Sequence, residues 1–137
     1  MAHSIEKKVY YHDTDAGGVV YYGNYLKFLE EGRTEYCISR GVDIAGLFAG
    51  GISFVVVHVE VDYVSSARYG DVLAVETEVD KVGTSSVRFS QRIKRGEQLL
   101  VRSAVVWACV NRDFKAIPVS GDIRNALLAP QLSKERE

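Results

Sequence analysis

Only one long stretch of this sequence repeats its apolar residues at helical spacing. Tyr25, Leu29, Gly32 and Tyr36, with Leu26, Arg33 and Cys37 beside them, form one stripe between Asn24 and Gly41, the period of an amphipathic helix. Asn24 stands where an N-cap belongs and Gly41 where a left-handed residue closes a helix. The stripe therefore predicts a helix of about 17 residues, roughly 25 Å long. Gly32 in its middle costs about 1 kcal/mol against Ala, which implies a close neighbour at that point. Almost everything else alternates. His3 to Tyr11 sets Ile5, Val9 and Tyr11 against Glu6, Lys8 and Tyr10, and Val55, Val57, Val59, Val61 and Tyr63 alternate with His58, Glu60 and Asp62. Leu73, Val75, Thr77 and Val79 repeat the pattern, as do Val87, Phe89, Gln91 and Ile93 against Arg88, Ser90, Arg92 and Lys94. These are strands with one buried face, and Val82-Gly83-Thr84 and Arg95-Gly96-Glu97 are the turns that make neighbours antiparallel. Leu99 to Val110 is apolar on both faces except at Arg102 and Ser103, as a central strand or one buried between subunits is. Val42 to Gly51 reads as a short helical turn and glycine-rich loop, and Ile123 to Leu128 as a short helix before the charged tail Lys134–Glu137.

These periods predict a single α+β domain over residues 1–137, its long helix lying across one face of an antiparallel sheet of about five strands. One helix leaves apolar surface on the last strand uncovered, so at least a dimer is expected.

Between the first strand and the helix runs Tyr10-Tyr11-His12-Asp13-Thr14-Asp15-Ala16-Gly17-Gly18-Val19-Val20-Tyr21-Tyr22-Gly23-Asn24-Tyr25. Two acids and two adjacent glycines just before a helix N-terminus bring carboxylates close to free backbone N–H groups, the elements needed to act on a polarised carbonyl. A plainer reading stands beside it, in which Asp13 and Asp15 form Asx-turns that cap loop amides. Asp15 is the stronger chemical candidate because Gly17-Gly18 and the helix start follow it directly. The loop is not a calcium loop, since its fifth position is Gly17 and its twelfth is Asn24 rather than a bidentate Glu. Asp13-Thr14-Asp15 is not the aspartic protease triplet either, since Asp15 occupies the glycine position. No GxSxG, P-loop or GxGxxG is present, so serine nucleophiles and nucleotide cradles lack support. His3, His12 and His58 have no metal-ligand spacing, and His12 and Asp13, adjacent on a strand, would point to opposite faces.

With 47% hydrophobic and 26% charged residues and a net charge of -1, no overall field recruits nucleic acid or an anionic membrane. The polar start Met1 to Lys8 lacks the apolar core of a secretory signal, and no apolar run is long enough to span a bilayer. Cys37 and Cys109, the only two cysteines, read as reduced core residues of a cytoplasmic protein.

Val9-Tyr10-Tyr11-x-Asp13-Thr14-Asp15-Ala16-Gly17-Gly18-Val19-Val20-Tyr21 closely resembles the hot-dog-fold acyl-CoA thioesterases of the 4-hydroxybenzoyl-CoA thioesterase type, in particular the YbgC-like branch. The likeness continues through Arg33-Thr34-Glu35, Phe54-Val55-Val56, Gly83-Thr84-Ser85 and Phe89-x-Gln91-Arg92-Ile93 to Ile117-Pro118. It implies a long helix wrapped by an antiparallel sheet, in dimers or dimers of dimers (a homotetramer) with sites at the subunit interface. It implies hydrolysis of acyl-CoA to a free acid and CoA without metal or redox cofactor. By this resemblance Asp15 is the catalytic carboxylate, attacking the thioester carbonyl or activating water; a carboxylate is ionised at pH 7 and suits either role. Backbone N–H groups of Tyr22 and Gly23 would polarise the carbonyl. Tyr11 and Tyr22 would line the acyl pocket or orient Asp15, and Asp13, Gly17 and Gly18 would border the substrate. Much of the YbgC-like branch has His where this chain has Tyr22, whereas the aryl-CoA enzyme has Tyr there. The CoA phosphates need cations, for which Arg88, Arg92 and Lys94 on one strand face, with Arg68 and His58, are candidates; a solvated strand face is the plain alternative. Glu30, Glu31 and Glu35 are rivals to Asp15, since another hot-dog branch uses a helix glutamate. A non-catalytic acyl-CoA-binding protein and a dehydratase are the competing functions.

Overall fold

In the computed structural model, which describes residues 2–130, the chain turns from strand to helix once before it builds its sheet. β1 (His3–Lys8) leads through a 3-10 turn (Tyr11–Asp13) to α1 (Asn24–Ser39) and the short α2 (Ile44–Ala49). Then come β2 (Ser53–Tyr63), β3 (Val72–Val82), β4 (Ser86–Arg95), β5 (Gln98–Val110) and α3 (Gly121–Leu128). The five strands form one sheet in the order β1-β3-β4-β5-β2, every neighbouring pair antiparallel. α1 lies on its inner face over β1, β3 and β4. The α+β architecture, the long helix and both hairpin turns are as the periodicity predicts; the charged tail Lys134–Glu137 lies outside the described residues.

α1 ends as expected. Gly41 takes φ +73°, its N–H bonds to Ile38 O and that of Val42 to Cys37 O, the paired bonds of a Schellman close. The start differs from expectation. The N-cap position is Gly23, with no side-chain cap, and Asn24 reaches back to the preceding loop instead. Cys37 and Cys109 are free and buried, and burial pushes the Cys37 thiol up to about 12.

The apolar core is divided. One cluster holds Val9, Val20, Tyr25, Phe28, Leu29, Val75, Ile93 and Val101, the other Tyr36, Cys37, Phe89, Val105, Trp107 and Leu127. Between them a polar row crosses the inner face, for His3 pairs with Thr77, Thr77 with Gln91 and Gln91 with Ser103. Gly32 crosses above this row. A Cβ at Gly32 would lie 2.8 Å from Val75 Cγ1 and 2.9 Å from Thr77 Oγ1, which is the close neighbour its cost implied.

Two strand expectations need correction. β1 ends at Lys8, so Tyr11 does not share a buried face with Ile5 and Val9 but is 77% exposed on the 3-10 turn. In β2 the register against β5 shifts between Val56 and His58. Val57 is the extra residue of a bulge, and Phe54 and Val56, rather than Val55 and Val57, fall in phase with Val59, Val61 and Tyr63. That face is not closed by this chain alone: Val56, Val59 and Tyr63 are exposed, because β2 is the sheet edge and α1 covers β1, β3 and β4 instead.

Candidate active site

The loop before α1 is a hairpin fixed at both ends. Thr14 bridges Val20, Asp15 N–H donates to Val19 O at 2.9 Å, and Gly18 N–H donates to Asp15 O at 3.0 Å. Gly18 takes φ +79°, the left-handed residue that closes a three-residue hairpin loop. At the tip Asp15 Oδ1 accepts Gly17 N–H at 2.8 Å, and a Cβ at Gly17 would press to 3.2 Å from that oxygen. The Asx-turn and the exposed carboxylate thus coexist: one oxygen orients the group and the other faces outward from a backbone that only small residues permit.

Asp13 has a different place. It is 7% exposed, and its Oδ2 accepts Tyr10 N–H at 2.9 Å, which winds residues 11–13 into the 3-10 turn. Its main-chain oxygen accepts two further donors, Tyr21 N–H at 3.0 Å and Asn24 Nδ2 at 2.9 Å. Asp13 therefore clamps the hairpin to the start of α1. Because this segment is a turn, His12 does approach its neighbour, Nε2 lying 3.6 Å from Asp13 Oδ1. The ring is largely exposed and stacks on Tyr10, while the carboxylate is committed to Tyr10 N–H. On the other side Val20 N–H donates to Ala67 O at 2.9 Å and Val19 bridges Arg68, which ties the hairpin to the segment between β2 and β3.

At the N-terminus of α1, Asn24, Tyr25 and Leu26 N–H groups bond to Tyr21, Tyr22 and Gly23 oxygens. Among the described residues the N–H groups of Tyr22 and Gly23 have no acceptor. They stand at the positive end of a 16-residue helix, where an oxyanion is stabilised.

Tyrosines wall this end. Tyr22 packs on Tyr21 (ring centroids 4.8 Å) and edge-on to Tyr63 (6.1 Å), whose hydroxyl donates to Tyr22 O at 3.3 Å. Tyr25 contacts Tyr63 at 5.7 Å and its hydroxyl accepts Ala67 N–H at 2.9 Å. Burial first raises the pKa of Tyr25 and Tyr63, and a hydrogen bond with Tyr22 raises that of Tyr21, so these phenols are neutral at pH 7. Tyr11 lies instead beside Tyr69, at 5.8 Å. Nothing in the sequence pattern points to Tyr63, Tyr69 or the loop role of Asn24. Tyr63 was visible only as a strand residue, and register alone brings it to the helix start.

The basic candidates divide. Arg68 adjoins the hairpin through its bridge to Val19. Arg88 and Arg92 lie on the sheet face opposite α1, since Phe89, Gln91 and Ile93 fill the inner one. His58 shares that outer face through its pairing with Val106, which is itself paired with Arg88. Arg88 approaches Asp80 (3.8 Å), Lys94 approaches Glu76 (3.3 Å), and His58 Nε2 is 3.1 Å from Glu60. Within one chain these four are not brought to the Asp15 loop. Among the rival acids Glu31 pairs with Lys7 at 3.7 Å, and Glu30 and Glu35 are exposed. Among the described residues no three metal-ligating side chains converge, and no helix is long and apolar enough to cross a membrane.

The family model described as "Thioesterase superfamily" matches residues 17–102, opening at the two loop glycines. The "Acyl-CoA thioesterase YbgC" of Haemophilus influenzae is 41% identical over 109 residues, 79% of this chain and 80% of that protein. The "Acyl-CoA thioester hydrolase YbgC" of Escherichia coli O6:H1 is 40% identical over 105 residues, 76% and 78% of the two chains. Among solved structures, a probable thioesterase from Bartonella henselae superposes with a TM-score of 0.83 at 31% identity, over 88% of this chain and all of that one. A 4-hydroxybenzoyl-CoA thioesterase mutant in complex with 4-hydroxybenzoyl-CoA superposes at 0.84 and 23% identity, over 92% and 98% of the two chains, a likeness of fold.

Proposed function

The chain belongs to the thioesterase superfamily and is an acyl-CoA thioester hydrolase with the hot-dog fold, and on that footing we propose that Asp15 carries its chemistry. The observation that supports this is the hairpin itself. It holds an exposed, oriented carboxylate and is clamped through Asp13 to a helix start with two unpaired N–H groups. Those amides, of Tyr22 and Gly23, take the thioester oxygen and stabilise the negative charge it gains as the carbonyl carbon becomes tetrahedral. Asp15 either adds to that carbon itself, expelling the CoA thiolate and leaving an anhydride that water cleaves, or draws a proton from the water that adds. Both routes consume one water and end in a carboxylic acid and CoA thiol. Tyr22 and Tyr63 border the acyl group, Tyr11 stands with Tyr69 at the outer rim, and Gly17 and Gly18 keep the tip open.

We assign the in-chain contact with the CoA phosphates to Arg68. His58, Arg88 and Arg92, on the far sheet face, would reach a substrate only across a subunit boundary. The free edge of β2, with Val57 60% exposed, supports a homo-oligomer in which a second copy pairs along that edge and completes the site; a dimer of dimers is the larger form. Buried free cysteines suit the reducing cytoplasm, where we place the activity.

Thiol release from short-chain, long-chain and aryl acyl-CoAs tests the reading. Turnover of at least one class is expected, and tight binding of acyl-CoA with no thiol released from any would leave a binding protein in place of the enzyme. Asp13 separates clamp from contact. Asp13→Ala leaves Tyr10 N–H without its acceptor and lowers stability by about 1–3 kcal/mol, read as a lower Tm with KM little changed. A raised KM at unchanged Tm would make Asp13 a substrate contact instead.

A further inference from the structure

We infer that Thr77, Gln91 and Arg33 form a polar lock that fixes the register of α1 on the sheet and thereby positions the amides at its N-terminus. The inference rests on the role assigned above to the Tyr22 and Gly23 N–H groups.

The lock works through the gap left by Gly32. There Gln91 Nε2 donates to Leu29 O at 2.8 Å and to Thr77 Oγ1 at 3.0 Å, and Gln91 Oε1 accepts Arg33 Nη1 at 3.0 Å. One strand side chain thus holds a main-chain oxygen and a side chain of α1 at once. The arrangement is poor for stability. Arg33 is 6% exposed, yet its Nε is unpartnered, and among the described residues no carboxylate pairs with it. The Trp107 ring stands 6.0 Å from its Cζ, and burial, opposed by the charge of Glu30, lowers its pKa. Ser103 Oγ, next in the row, is also unpartnered. A buried cation that no carboxylate touches is destabilising beside an apolar side chain of similar volume, and the best-attested return for such groups is register.

Register matters here because the Asp15 hairpin is tied to the sheet side and to the helix at once. It is bonded to the sheet side through Ala67 and Arg68, and its Asp13 oxygen holds Tyr21 N–H and Asn24 Nδ2 at the start of α1, so a slide of the helix pulls the Tyr22 and Gly23 amides against a loop that the sheet side holds in place. The apolar contacts on either side of the row are non-directional and tolerate a small slide of the helix; hydrogen bonds of 2.8 to 3.0 Å do not. A slide would alter the spacing between carboxylate and amides, and misplacement by about 1 Å is enough to lower a rate by as much as 10². Thr77, Gln91 and Arg33 are therefore positioning residues, and none of them touches the reacting atoms.

The test replaces the row with apolar groups of similar size, Thr77→Val, Arg33→Met and Gln91→Met together, and measures Tm, kcat and KM. Gln91→Met alone serves if the triple variant does not fold. The expected result is a Tm equal to or above wild type with kcat lowered about tenfold or more and KM within about twofold. Gly32→Ala, which wedges α1 away from Thr77, should lower kcat in the same way. A folded variant with wild-type kcat overturns the inference, as does a kcat that falls only in step with Tm. If the wild type hydrolyses no thioester, the reading of the amides fails first and the lock with it; if the wild type turns over and the variants match it, the lock alone fails.

Discussion

Asp15→Asn is expected to lower kcat by about 10² to 10³, equivalent to roughly 3–4 kcal/mol of transition-state stabilisation, with Tm unchanged. The substitution is clean because of the Asx-turn. An asparagine Oδ1 accepts Gly17 N–H as Asp15 Oδ1 does at 2.8 Å, so the tip keeps its shape and loses only its charge and basicity. Neither adding to the thioester carbon nor taking a proton from water survives that change. The matched measurement is thiol release beside CoA binding and a melting curve, on wild type and variant together. Activity within threefold of wild type would remove Asp15 from the chemistry and bring forward Glu30, exposed on α1. A loss of activity accompanied by a lower Tm would show a collapsed loop rather than a missing carboxylate.

The second large effect is expected at the sheet edge. Val59→Lys places an ammonium on the exposed inner face of β2, beside Val56 and Tyr63, where a second copy would bury it. An unpaired buried charge opposes association strongly, and lysine on an edge strand is also how natural sheets prevent pairing. The variant should elute as a monomer and lose thioesterase activity by at least about 10², while its far-UV circular dichroism is retained, because Val59 supports little within its own chain. Size-exclusion chromatography with light scattering reads the first effect and thiol release the second. An unchanged elution position would refute pairing through β2, and a fully active monomer would refute a site shared between subunits.

How far the sequence could be read depended on whether a feature was local. α1 and its close at Gly41 were legible because a stripe at helical spacing and a left-handed glycine are set within a few residues. So were the turns at Gly83 and Gly96, and the crowding at Gly32 followed from its cost alone. Asn24 stands where a cap is expected, but its partner, Asp13 O, lies eleven residues earlier, and no spacing rule reaches that far. Tyr11 departs from the strand pattern for a related reason: alternation continues past Lys8 in the sequence, but the Asp13 carboxylate captures Tyr10 N–H and ends the strand. The bulge at Val57 was hidden in a run of four residues, Phe54 to Val57, that are apolar in either phase. Within the site, Asp15 and its glycines were legible as a pattern. The clamp role of Asp13 and the approach of Tyr63 needed the third dimension. Alternation in β4 puts Arg88, Arg92 and Lys94 on one face, but nothing in a strand pattern tells which face looks toward a loop.

The polar row also has a bearing on how the molecule comes apart. Apolar contacts give a protein its cooperativity, and here they are gathered into two bodies with hydrogen-bonded side chains between them. The hairpin is rooted in the body that holds Val20 and Tyr25, whereas α3 and the Trp107 region belong to the other. Opening of one body need not open its neighbour, so amide exchange should divide along the row into two protection classes rather than one. A directed-evolution library confined to the Trp107 half would then have a core to repack that lies across a seam from the chemistry, with Gln91 as its boundary stone.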